Sequence, residues 1–218
     1  MHPSLFAYAP SELSQDAFLC WLLSWLNVPS HPLRGVAQAF VQRVLDKAAA
    51  DVPWSDLRQV HVRRQFHAVD IVVVFEFSSC PKLCFVIEDK IDATLTGPDQ
   101  LERNINNVRS HTTEWRPAAD IDEARFQGVL IKTGYDFDLP VPPGYVKVNY
   151  EDIRGWRNDV ATDARSDILE DWLEAFSRRL HKIDALVSMS GDLAAIGAGA
   201  TAQTLADGRS RDNRQLES

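Results

Sequence analysis

The chain has 218 residues, of which 45% are hydrophobic and 25% charged, an ordinary globular composition that excludes a wholly disordered, collagenous or low-complexity protein. Its formal charge of −8 argues against a protein that coats nucleic acid indiscriminately. The longest strongly apolar stretch, Ala17 to Leu26, is far shorter than the ~20 residues that span a bilayer, so no membrane helix is expected.

The opening MHPSLFAYAP lacks the basic and apolar regions of a secretion signal, which points to a cytoplasmic protein. Cys20, Cys80 and Cys84 form no CxxC pair and read as reduced packing residues. Charge is unevenly placed: residues 120 to 174 hold 13 acidic and 6 basic residues, whereas residues 34 to 69 hold 6 basic and 3 acidic. The first half can therefore still meet phosphates.

In chain order, Ser14 to Leu26 predicts a helix that places Ala17, Trp21, Leu22 and Trp25 on one face. A second helix from about Leu33 to Ala50 repeats Val36, Phe40, Val44 and Ala37, Val41, Leu45 at fourfold spacing, and stops before Pro53. Val60 to Phe66, Val69 to Phe77 and Leu83 to Lys90 are β-branched and aromatic runs that predict three strands. The short connection Ser78 to Lys82 suits an antiparallel hairpin, and the apolar density of its strands suits the middle of a sheet. A crossover helix follows Pro98, with Leu101, Ile105 and Val108 at helical spacing. Gln127 to Lys132 and Tyr145 to Val148 predict two further strands, separated by the turn-rich stretch from Gly134 to Gly144. A last helix is predicted over about Ser166 to Val187, completing a domain of residues 1–187. Residues 188–218, small and then polar, read as a disordered tail.

Chemistry concentrates on the second and third strands, which bring Asp70, Glu88 and Lys90 together. A period of two aims Glu88 and Lys90 at one face and Asp89 at the other. Three ionisable groups in an apolar β layer are costly to bury unless they pair or bind an ion. Magnesium, with oxygen ligands and retained waters, suits Asp70 and Glu88, and it would acidify a water and offset charge growing on phosphorus. Lys90 would steady the attacking water. A strand-end ion pair between Glu88 and Lys90 accounts for the same residues without a metal.

These residues, in this order, resemble the PD-(D/E)XK nuclease superfamily, in its prokaryotic branch with an N-terminal acidic helix. SELSQDAFLCWLLSWL (Ser11 to Leu26) looks like the opening helix, VRRQFHAVDIVVVF (Val62 to Phe75) like the Asp-bearing strand and FVIEDK (Phe85 to Lys90) like the ExK strand. DQL (Asp99 to Leu101) is similar to the glutamine motif, and GVLIKTGYD and YVKVNYEDI resemble the later strands, so the likeness covers about residues 5 to 180. It implies an α/β fold of the restriction-endonuclease-like kind, a mixed central β-sheet flanked by helices. It also implies that Asp70 and Glu88 hold Mg2+, with Mn2+ as a substitute, that Lys90 is the catalytic lysine and that the backbone carbonyl of Asp89 completes the coordination. Gln100 supports the site, and Glu12 reaches the metal directly or through water, with Asp16 able to serve in its place. Two positions depart from the pattern: Asn104 stands where tyrosine is frequent, and Gln65 where an acidic residue is common.

The implied activity is hydrolysis of phosphodiester bonds, in DNA rather than RNA, with a homodimer as one arrangement. The competing expectation is an inactive nuclease-fold module that binds nucleic acid or a partner protein. Arg63, Arg64 and Arg103, joined by His61, His67 and Arg109, are candidate phosphate contacts. Trp21, Trp25, Trp172 and Phe176 lie on helical stripes and read as core rather than as base-stacking platforms. His31, His111 and His181 stand apart in sequence and read as isolated surface histidines.

Overall fold

The computed structural model describes residues 5–8, 11–91, 95, 99–114, 124–134, 141–159, 164, 166–186 and 188–189. The expectations placed on Pro98, on most of the stretch between Gly134 and Gly144 and on the tail from residue 190 lie outside the described residues. The chain divides into two compact units, Met1–Ser177 and Arg178–Ser218. In the second, residues 178–186 and 188–189 are helical. Among the described residues no helix is long and apolar enough to cross a membrane.

The first unit is an α/β structure built on a five-stranded mixed sheet flanked by helices. Its strands, β1 (Leu57–Phe66), β2 (Val69–Phe77), β3 (Leu83–Lys90), β4 (Arg125–Lys132) and β5 (Tyr145–Asn149), lie side by side in that order. β1, β2 and β3 form an antiparallel meander, and β3, β4 and β5 run parallel. The change of direction follows from the connections. Strands joined by a few residues must run antiparallel, whereas β3 and β4 are joined through helix α4 (Gln100–Ser110), the kind of crossover a parallel pair requires.

Helix α1 (Leu5–Tyr8) is one turn long, and its first amides, Leu5 N and Phe6 N, donate to Asp171 Oδ2 at 2.6 and 3.3 Å. Helix α2 (Glu12–Ser24) starts two residues before the predicted Ser14, because Ser11 is extended and Glu12 opens the first turn. Its buried face differs from the predicted one. Phe18, Leu19, Leu22 and Leu23 are buried, whereas Ala17 is exposed and Trp21 and Trp25 are half-buried. The aliphatic row sits on the sheet, and the bulky indoles lie along its rim. The predicted surface residue His31 caps helix α3 (Pro32–Lys47) instead: its Nδ1 accepts from Leu33 N at 3.2 Å, and its ring stacks on Trp25 at 4.0 Å.

Helix α5 (Tyr150–Asp159) was not anticipated, although it carries a legible start signal. Asn149 Oδ1 accepts from the amides of Glu151 and Asp152, both at 3.1 Å, while Asp152 Oδ2 accepts from Asn149 N at 2.8 Å. This reciprocal cap is the aspartate counterpart of a capping box. Inside, Trp156 of α5 is fully buried against Phe40 of α3 and donates Nε1–H to the Val36 carbonyl at 3.1 Å. Trp172 stacks on Phe18 at 4.2 Å and on Phe176 at 5.4 Å, so these aromatics are core, as predicted.

Alternation along the strands sorts the core into two layers. On one face Val72, Val74, Cys84 and Val86 pack with Val108 of α4; the other face meets α2. Burial holds the Cys84 thiol up at about 12 and the Cys20 thiol up at about 11, so neither is a thiolate nucleophile.

Candidate metal and active site

The antiparallel register sets Ile71 opposite Ile87, so one step further along Asp70 stands across from Glu88. Side chains opposed in this way approach within about 5 Å. Glu88, Asp89 and Lys90 are consecutive, charged and buried, on the central strand of the sheet. Alternation separates them: Glu88 and Lys90 project toward α4, and Asp89 toward α2.

On the α4 face, three oxygens converge on one positive charge. Lys90 Nζ lies 2.6 Å from Glu88 Oε1 and 3.8 Å from Asp70 Oδ2, and donates to the backbone carbonyl of Asp89 at 3.2 Å. Asp70 Oδ2 also accepts from Asp89 N at 2.9 Å. Burial raises the pKa of Glu88, and the negative charge of Asp70 raises it further, against the lowering effect of Lys90 and Asn104. Burial works against the Lys90 charge too, yet its bond to Glu88 and the charges of Glu88, Asp70 and Glu12 push its pKa up. Lys90 is therefore a charged donor, not a neutral base.

Helix α4 holds Glu88 in place. Gln100 Nε2 donates to Glu88 Oε1 at 2.5 Å, and Asn104 Nδ2 donates to Oε2 at 2.6 Å. Gln100 and Asn104 are four apart and so share a helix face. Asn104, singled out only as a departure from a family pattern, is a buried donor to the central carboxylate. The start of α4 is anchored by Tyr145, whose hydroxyl donates to the Leu101 carbonyl at 2.6 Å. Its ring lies across Gly128, where a Cβ would fall 2.4 Å from three ring atoms. Only glycine leaves room for the ring.

The other face of β3 carries a polar layer: Asp89 lies on the face expected, Asp16, expected as the alternative to Glu12, lies near it, and Gln15 and Thr133 were not anticipated. Asp89 Oδ1 accepts from Gln15 Nε2 at 2.6 Å, and Gln15 Oε1 accepts from Thr133 Oγ1 at 2.9 Å. Asp16 and Asp89 are within hydrogen-bonding reach of each other. Burial, then the charge of Asp70, raises Asp16 to about 6, and burial, then the charge of Asp16, raises Asp89 well above the ordinary range. A proton on one of the two would relieve this conflict. The signal available in the sequence was Gln15 and Asp16, two polar residues beside the apolar face of a helix. Glu12, one turn before Asp16, reaches the end of β3 and accepts from Ile91 N at 3.0 Å.

Six sequence-predicted residues, Glu12, Asp70, Glu88, Asp89, Lys90 and Gln100, are thus brought together. The basic residues are spread over several surfaces. Arg63 is exposed, donates to the Glu114 carbonyl at 3.0 Å and lies over the Phe66 ring. Arg64, also exposed, donates to the Leu13 carbonyl at 3.3 Å, and Arg103 is exposed on α4. Gln65, with φ of 53°, is exposed before the β1–β2 turn. His111 is not isolated: it meets His67 and Glu114 in a separate cluster.

No protein-family model matches this chain, and searches of curated proteins and of solved structures return no match.

Proposed function

We propose that this chain is a magnesium-dependent nuclease with a restriction-endonuclease-like fold, of the PD-(D/E)XK kind, that hydrolyses phosphodiester bonds in DNA. The observation that carries the reading is the convergence of Asp70 Oδ2, Glu88 Oε1 and the Asp89 carbonyl on the single positive charge of Lys90. An all-oxygen donor set with two carboxylates fits a hard divalent cation, and the raised pKa of Glu88 beside Asp70 marks a place short of positive charge. Asp70, Glu88 and the Asp89 carbonyl would hold the ion. When bound, magnesium lowers the pKa of a water and offsets charge developing on the phosphoryl oxygens.

The remaining work falls to the chain itself. Gln100 and Asn104 hold both oxygens of Glu88, so its carboxylate cannot rotate away. Lys90 keeps its proton and is placed to hydrogen-bond the attacking water or a nonbridging phosphate oxygen. Glu12, tied to Ile91 N beside it, is a further acceptor that can orient water. Of the exposed arginines, Arg103, on the helix that carries Gln100 and Asn104, would be a phosphate contact, with Arg63 and Arg64 on opposite faces of β1 as further candidates.

The test is cleavage of supercoiled plasmid, linear duplex, single-stranded DNA and RNA with magnesium or manganese, beside Asp70→Ala, Lys90→Ala and an EDTA control. The expected result is metal-dependent DNA cleavage, lost in both variants. No cleavage of any substrate, with thermal stability unmoved by metal, would overturn the proposal in favour of a nuclease-fold module that binds nucleic acid or a partner protein.

A further inference from the structure

We propose that His67, His111 and Glu114 form a second metal site, for a zinc-class transition ion, independent of the hydrolytic reading. One ligand atom from each residue lies within 4.8 Å of the others. His67 Nε2 is 2.7 Å from Glu114 Oε2, and the His67 and His111 rings stack at 3.7 Å. Two imidazoles and a carboxylate suit zinc, cobalt, nickel or copper and do not suit magnesium. Three protein ligands leave a position for water or a further donor.

The surroundings match what metal-binding histidines need. His111 Nδ1 lies 2.8 Å from the Asn107 carbonyl. A carbonyl only accepts, so Nδ1 carries the hydrogen and the neutral ring keeps its lone pair on Nε2, the outer-shell arrangement typical of a ligating histidine. His67 Nε2 and Glu114 Oε2 already share a hydrogen bond at 2.7 Å, which an ion bound by both atoms would replace with release of the Nε2 proton.

Both supporting segments are pinned. His67 occupies the turn between β1 and β2, with φ of 48°, followed by Ala68 at 66°. Asn107 Nδ2 donates to the His67 carbonyl at 3.0 Å, and Arg63 Nη1 to the Glu114 carbonyl at 3.0 Å. Little ordering remains to be done when an ion arrives. The rings, now 16° from parallel, must tilt apart to share it, because their lone pairs lie in the ring planes. His67 is exposed and His111 half-buried, so the His67 ring is the one free to tilt.

The two sites are separate. Gln100 opens α4 and His111 caps its far end, so the span from Gln100 to Ser110 alone puts about 15 Å between them at the helical rise. A metal here would clamp the end of α4 to the turn that leads into Asp70, stiffening the helix whose other end holds Glu88. The role is structural rather than catalytic.

The experiment uses the full chain without an affinity tag, loaded with zinc chloride, dialysed and assayed for bound metal, with cobalt absorption spectra reporting coordination. Wild type and Asp70→Asn should each keep one zinc per chain and show a zinc-dependent rise in Tm. His111→Ala should lose both. Glu114→Gln, isosteric at an exposed position, should weaken zinc binding at least tenfold and keeps the test decisive if His111→Ala misfolds. Absence of bound zinc in wild type would overturn the proposal. So would zinc retained equally by Glu114→Gln, or zinc lost in Asp70→Asn but kept in His111→Ala, which would assign it to the carboxylate cluster.

Discussion

Replacing Gly128 with alanine tests how the start of α4 is held. The new Cβ would lie 2.4 Å from Cδ2, Cε2 and Cζ of Tyr145, whereas carbon atoms prefer roughly 3.5–4.0 Å, so the ring must retreat by about 1 Å or more. That retreat breaks the 2.6 Å bond from the Tyr145 hydroxyl to the Leu101 carbonyl, both buried. Overpacking costs roughly 1–3 kcal/mol, and a buried polar group left unpaired about 1–3 kcal/mol. Together they predict a loss of roughly 2–6 kcal/mol, or on the order of 4–24 °C in Tm for a chain of this size. Thermal and urea unfolding measure it, with Tyr145→Ala supplying the second background. Without the ring, Gly128→Ala should cost under about 0.5 kcal/mol, since alanine is no worse than glycine in a strand. An equal cost in both backgrounds would refute the reasoning, because the clash with Tyr145 would not be its source.

Three further outcomes follow from single contacts. Ala68 has φ of 66°, a region that costs an L-residue about 1–2 kcal/mol, so Ala68→Gly should be neutral to about 1 kcal/mol stabilising after the greater freedom of glycine in the unfolded chain is counted, as urea unfolding would show. Asp16 is raised from its ordinary 3.8 to about 6. The folded state therefore grips that proton more tightly, the associated stability is full below about pH 4, and it is lost as pH rises through about 6. In EDTA, Asp16→Asn should flatten that decline, and an unchanged pH profile of Tm would count against it. Asn104→Ala removes a bond that lowers the pKa of Glu88, so the acidic limb of metal-dependent cleavage should move to higher pH, a shift that a pH–rate profile would read.

Strand existence and the antiparallel pairing of the second and third strands were legible because β-branched runs with a short connection leave few alternatives. Asp70, Glu88 and Lys90 were legible because charge in an apolar strand is conspicuous, and strict alternation gives each residue its face. What escaped has a common cause: it depends on contacts between distant segments. The buried side of α2 could not be read from Trp21 and Trp25, because large aromatics serve at a rim as well as in a core. The His67–Ala68 turn lacks the Asn-Gly letters that usually mark positive φ, so nothing in the sequence announced that β1 and β2 are closed by two strained residues. His67 and His111, 44 positions apart in the chain, meet only because α4 returns alongside the β1–β2 hairpin.

The two faces of β3 solve one electrostatic problem differently, and the difference bears on function. Asp89, facing α2, accepts a hydrogen bond from Gln15 and lies near Asp16, where burial and the charge of Asp16 favour its protonated form. That face lowers its negative charge by favouring the protonated carboxyl, with no cation on it. Glu88, facing α4, keeps two amide donors and an ammonium, and Asp70 stands beside it with no amide of its own beyond Asp89 N among the hydrogen bonds described. Apolar side chains of similar volume would stabilise such a strand as well or better, so packing alone gives no reason to place charge there. On the proposed reading, this carboxylate pair with a single ammonium beside it is where a divalent cation would bind. Adding magnesium should therefore perturb Lys90 and Glu88 while leaving Gln15 and Thr133 undisturbed, and side-chain NMR titration would refute this if the Gln15 amide responded as strongly as Gln100 and Asn104.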